Sequence, residues 1–216
     1  LLKELSNKAP GTFHHSLQVA NLAEAAANEI GANAMLVRVG ALYHDIGKMN
    51  NPTYFTENQV TNVNPHDDLE PRDAAAIIIN HVIEGIEIAR KNKVPDRVID
   101  FIRTHHGTSL VFYFYKKQEA LEGEVNEEDF RYPGPIPFSK ETAILMMADS
   151  VEAASKSLKN PTFLIIDEFV ERIIEGQIKG GQFLNANITF KEIEAVKKIL
   201  KQKLVNIYHL RVEYPE

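Results

Sequence analysis

Residues 40–49 read GALYHDIGKM, an apolar segment with His44 and Asp45 side by side in its middle. Neither side chain is welcome in a core without a partner, because an unpaired buried charge costs several kcal/mol or is neutralised by a pKa shift. Both are good metal ligands. The stretch therefore poses the question of what binds His44 and Asp45.

The sequence around it is helical in pattern. Residues 34–48 are apolar over much of the helix circumference, as a central buried helix would be, with His44 and Asp45 near its end. Upstream, 12–30 carries His15, Val19, Leu22 and Ala26 at offsets of four, seven and eleven, one face of a helix that Gly31 would stop. Downstream, 49–70 lapses into a long polar loop of a kind that is usually functional or disordered. Pro71 then opens a helix with His81 near its middle, and a further helix from about Pro95 to Gly107 carries His105 and His106 in its last turn. After a YPGPIPFS linker, residues 140–158 read as helical around Asp149. Two more amphipathic helices, about 161–175 with Gly176 as its stop and 189–211, complete an all-α chain in which SLVFYFY (109–115) is the one ambiguous run.

Composition narrows the function. The 216 residues are 44% apolar and 25% charged, ordinary for one large globular domain over 1–216. Cysteine is absent, so any metal is held by nitrogen and oxygen. The net charge of -6, without a long basic run, argues against duplex nucleic acid as a partner. No stretch approaches the roughly 18 apolar residues of a membrane span, and no signal pattern opens the chain. It is expected to be soluble as given, and, beginning at Leu1, to be a piece of a longer protein.

His15, His44, Asp45, His81, His105, His106 and Asp149 all lie within or at the ends of these apolar helices. Seven ligands are too many for one ion. Asp45 has two oxygens and can reach two ions at once. Any one of the seven, His81 for instance, reads most simply as a hydrogen-bonded core residue; the ordered set with adjacent His-Asp and His-His pairs does not. His14, His66 and His209 fall outside it.

The order His15, His44-Asp45, Asp149 resembles the signature of the HD-domain metal-dependent phosphohydrolases, and His81 and His105-His106 resemble the extra ligands of its two-metal members. The stretches HHSLQVANLAE, ALYHDIGKM, FTENQ, NPHDDL, HHGTSLVFYFYKK and RYPGPIPFSKETAILMMADSVEAASKSL are similar to the intracellular HD domain of seven-transmembrane-HD receptors of the PgpH type, over nearly the whole chain. The related HD-GYP proteins, which act on cyclic di-GMP, follow their His-His pair with a glutamate and a Gly-Tyr-Pro element; here His106 is followed by GTSLVFYFY.

The resemblance implies a helical bundle around two divalent transition-metal ions, Fe or Mn. The first would take His15, His44, Asp45 and Asp149; the second His81, His105, His106 and again Asp45. It implies a phosphodiesterase that hydrolyses cyclic di-AMP to linear pApA by attack of a metal-bridging hydroxide on phosphorus, on the cytoplasmic face of a membrane reached through segments absent from this chain. Lys48, next to the HDIG run, is expected to stabilise the transition state with its charge and to help protonate the leaving oxygen. Arg131 and Tyr132 are candidate substrate contacts, and Tyr113 and Tyr115 either stack on adenine or belong to the core. Two other classes fit the ligand types: a di-iron HD-type oxygenase, and a non-catalytic binding or sensing module whose metals only tie helices together.

Overall fold

The computed structural model describes residues 1–59 and 64–209, the last of these in its backbone alone. Helices dominate: α1 (Leu2–Lys8), α2 (Pro10–Glu29), α3 (Ala34–Tyr43), α4 (Pro71–Lys91), α5 (Asp96–Thr104), α6 (Phe112–Glu122), α7 (Lys140–Ser155), α8 (Phe163–Lys179) and α9 (Phe190–His209). No strand forms among the described residues beyond one isolated bridge, Leu110 with Arg131, so the all-α expectation holds. No described helix is long and apolar enough to cross a membrane.

Local chemistry sets the helix ends. Pro10 sits at the start of α2, where its missing N–H costs nothing, and Gly31 follows its end at φ +67°. Asn33 caps α3 by accepting from the Leu36 amide. Ser139 and Thr142 close a reciprocal box at the start of α7. The interior of α7 is buried on almost every side, from Thr142 through Val151, with Asp149 among apolar neighbours. Alanines on α2 and α7 let their backbones approach, and Val19, Ala23, Ile144, Ala148, Val196 and Leu200 share the main core. A second core joins α1, α4 and α5 through Leu5, Ile46, Ala89, Ile99 and Ile102.

Three expectations need correction. Residues 34–48 do not form one helix: α3 stops at Tyr43, His44 caps it, and after Asp45 the chain tightens into a 3₁₀ turn, Ile46–Asn50. The cause is Gly47, which presses on the backbone of α4 so closely that a Cβ there would lie 1.8 Å from the His81 carbonyl oxygen. A longer α3 would carry Asp45 away from α4. Helix α8 also passes Gly176 and ends at Lys179, before Gly181 at φ +71°. Finally, SLVFYFY turns helical from Phe112, on a surface helix whose buried residues are Phe114 and Gln118; Tyr113 is exposed instead of core, and Tyr115 is half-buried.

Candidate metal centre

Each of the seven candidate ligands comes to one place. His15 projects from α2, Asp149 from α7, His44 and Asp45 from the turn after α3, His81 from α4, and His105 and His106 from the end of α5. Their ligand atoms form two groups, His15 with His44 and Asp149, and His81 with His105, His106 and Asp45. Asp45 also joins the first group through its other oxygen. Its Oδ2 lies 3.2 Å from His44 Nε2 and 3.7 Å from His15 Nε2, while its Oδ1 lies 3.3 Å from His81 Nε2 and 3.5 Å from His105 Nε2.

The imidazoles are aimed by their own helices. His44, His81 and His105 each donate from Nδ1 to the carbonyl three residues back, of Ala41, Ile78 and Ile102, at 2.7, 2.5 and 2.7 Å. A carbonyl only accepts, so Nδ1 carries the hydrogen and Nε2 faces the cluster. His15 is held differently, by Glu152, whose carboxylate meets Nδ1 while Nε2 lies 2.9 Å from Asp149. His106 is held by a ring: Tyr132 stacks on it at 4.2 Å between centroids, with the planes 22° apart. Backbone pairing of Tyr132 N–H with the Ser109 carbonyl brings that ring into place.

These residues fit divalent metals on two observations. His44 Nε2 and Asp45 Oδ1 are buried without a hydrogen-bond partner among the described residues, an arrangement that costs free energy unless a cation sits there. His81 Nε2 and His105 Nε2 lie 3.1 Å apart although both Nδ1 atoms already donate elsewhere. Two neutral imidazoles so placed turn lone pairs toward each other, which a metal ion resolves.

The electrostatics of the two groups differ. Burial pulls the His44 imidazole down, but the Asp45 and Asp149 carboxylates outweigh it and raise it to about 10. Burial works against ionisation of Asp149 too, and contact with His15 and His44 nonetheless holds it well below the usual carboxylate range. Burial lowers His105, and burial followed by the nearby His105 and His81 holds His106 well below the usual imidazole range.

Lys48 reaches the cluster from the 3₁₀ turn, its Nζ 2.8 Å from Asp45 Oδ2 and 2.9 Å from Glu57 Oε1. Glu57 lies in the polar loop and also accepts from the Thr12 hydroxyl at 3.0 Å. A cleft of about 360 Å³ opens here, lined by His15, Asp45, Lys48, Glu57, His106 and Asp149 among others. Arg131 is not in it. Its guanidinium donates to the Thr108 carbonyl at 3.0 Å and pairs with Glu127, and it lines a neighbouring cleft on the far side of His106. Tyr132 is buried beneath His106 and supports a candidate ligand.

Glu57 and Glu152 escaped the sequence reading. For Glu152 the available signal was its place one turn after Asp149; for Glu57 it was only membership in FTENQ. Of the histidines outside the set, His14 is exposed, His66 is buried and bonded to the Tyr54 carbonyl at 2.7 Å, and the His209 side chain lies outside the described residues.

The HD domain family matches residues 12–154, a span that contains all seven candidate ligands. The cyclic-di-AMP phosphodiesterase PgpH of Listeria monocytogenes is 49% identical over the whole chain, and PgpH of Bacillus subtilis 48%. The chain spans 30% of the length of each. The crystal structure of the L. monocytogenes PgpH HD domain in complex with cyclic-di-AMP superposes with a TM-score of 0.94 at 48% identity, covering 96% of this chain and 97% of that one. Matched in sequence over its ligand-bearing span and in fold over almost its full length, the chain belongs to the HD-domain family.

Proposed function

We propose that this chain is a two-metal phosphodiesterase domain that hydrolyses cyclic di-AMP to linear pApA, and that 1–216 is one domain of a longer membrane protein, working on its cytoplasmic side. The observation that carries the reading is Asp45, whose two oxygens face two separate sets of imidazoles. One ion would be held by His15, His44, Asp149 and Asp45, the other by His81, His105, His106 and Asp45. Nitrogen and oxygen ligands of this mixture suit iron or manganese. The names of the two PgpH relatives and the cyclic-di-AMP complex of the solved neighbour support the substrate.

When bound, a pair of divalent ions supplies an activated water at neutral pH and Lewis acidity toward phosphate oxygens. The chain's own residues do the rest. The Nδ1 bonds of His44, His81 and His105 fix the tautomer of these three imidazoles, so none of the three must reorient as the phosphate arrives. Lys48 places a fixed positive charge at the edge of the cluster, where negative charge develops on the phosphoryl oxygens in the transition state. Glu57, itself held by the Thr12 hydroxyl, meets that ammonium, which assigns the FTENQ turn a positioning role. Because the centre is blind to the base, preference for adenine has to come from groups further along the cleft.

The test is to load the purified chain with Mn²⁺ or, without oxygen, Fe²⁺ and supply cyclic di-AMP, cyclic di-GMP and linear dinucleotides. pApA as first product, with a higher kcat/KM for cyclic di-AMP than for cyclic di-GMP, is expected. Equal kcat/KM for the two cyclic compounds, or preference for mononucleotides, would sink the substrate; turnover that required oxygen would sink hydrolysis itself.

A further inference from the structure

The metal cleft contains a second cation that the chemistry at phosphorus leaves unused. Helix α7 presents Asp149 and Ala153, and its C-cap residue Lys156 continues the same face, at offsets of four and seven, toward the same cleft. At 1.5 Å per residue the Cα atoms of Asp149 and Lys156 are about 10 Å apart along the helix. Ala153 between them offers only a methyl group, so the floor of the cleft stays open from the metal ligands to the lysine. Lys156 itself is half exposed, at the mouth.

Its ammonium is held but not used up. Lys156 Nζ lies 3.1 Å from Glu152 Oε2, and that carboxylate also receives His15 Nδ1. Nζ also lies 3.5 Å from His15 Nδ1, and because an ammonium has three donors, these two contacts leave one for an anion. The other cations nearby are committed. Lys48 is buried between Asp45 and Glu57, and Arg131 is spent on Thr108, Glu127 and Glu128 in the adjoining cleft.

A cyclic dinucleotide carries two phosphates, of which the metal centre can bind one. We propose that Lys156 receives the other, the phosphate that is not being cleaved. The inference rests on the reading of this chain as a cyclic dinucleotide phosphodiesterase. Charge agrees with it: Asp45, Asp149, Glu57 and Glu152 against Lys48 and Lys156 leave a formal charge of minus two, which two divalent ions turn into plus two, the complement of the ligand's minus two. Without Lys156 the surplus is halved. It also makes Lys156 a determinant of substrate class, since a diester with a single phosphate has nothing to place there.

The experiment compares Lys156→Met and Lys156→Arg with the parent chain, all loaded with Mn²⁺, on cyclic di-AMP and on bis(p-nitrophenyl) phosphate, a one-phosphate diester. Lys156→Met is expected to raise KM for cyclic di-AMP about tenfold, the loss of one charge-assisted bond at a half-exposed site, with kcat little altered. On the one-phosphate diester KM shifts by twofold at most, and Lys156→Arg recovers most of the affinity for cyclic di-AMP. Equal losses on both substrates, or a fall in bound manganese, would mean that Lys156 acts through Glu152 and His15, overturning the proposal; so would an unchanged KM. If the parent chain cleaves the one-phosphate diester but no cyclic dinucleotide, the functional reading fails first and takes this inference with it.

Discussion

The two halves of the metal centre are built from different materials. The half around His15, His44 and Asp149 stands on α2, α3 and α7, whose apolar faces share the main core, and it holds carboxylates in numbers: Asp149, one oxygen of Asp45, and Glu152 behind His15. The half around His81, His105 and His106 stands on α4 and α5, beside a smaller core, and among the described residues its only carboxylate is the other oxygen of Asp45. One half is rich in charge and the other is mostly neutral imidazole. By hard–soft matching and charge the first should hold a divalent ion more tightly, while the second depends on what Asp45 lends it.

The largest test of that contrast is Asp45→Ala. It removes a ligand from each half, so both ions are expected to drop in occupancy and turnover to vanish; elemental analysis decides, and one tightly bound ion untouched by the change would break the bridge. Lys48→Ala should leave both halves loaded while slowing hydrolysis on the order of 10²-fold, mostly in kcat. A loss of metal with kcat per bound ion preserved would make Lys48 structural. Glu152→Gln is the smallest and the most selective: it keeps the shape and removes the charge behind His15, so metal affinity should fall about tenfold in the carboxylate-rich half alone. A metal titration that resolves two binding steps would show which step moves, and equal movement of both would erase the difference between the halves.

The seven candidate ligands were legible because their residue types stand out against apolar helices. His81 among isoleucines and Asp149 after a run of buried methionines are anomalies that the hydrophobic pattern exposes. Glu152 and Glu57 were not legible in the same way. A glutamate on a helix or in a polar loop is what a solvated surface looks like, and only the tertiary approach of α2 to both of them turns them inward. The break after Tyr43 was hidden for a related reason: local propensity favours helix there, and the contact that overrides it is a glycine against a backbone thirty-odd residues away. Arg131 stood out in the sequence by its charge, while the Glu127 and Glu128 that pair with it looked like part of a solvated acidic run.

The bonds from His44, His81 and His105 back to their own helices separate two events that small metalloproteins often combine. Where a metal gathers ligands from a disordered chain, its binding free energy is folding free energy. Here three imidazoles take their orientation from the turn of helix that precedes each of them, and the helices take theirs from cores that contain no ligand atom. The aim of these three imidazoles is therefore a property of the helices that carry them, and does not have to be created by the ions they would hold.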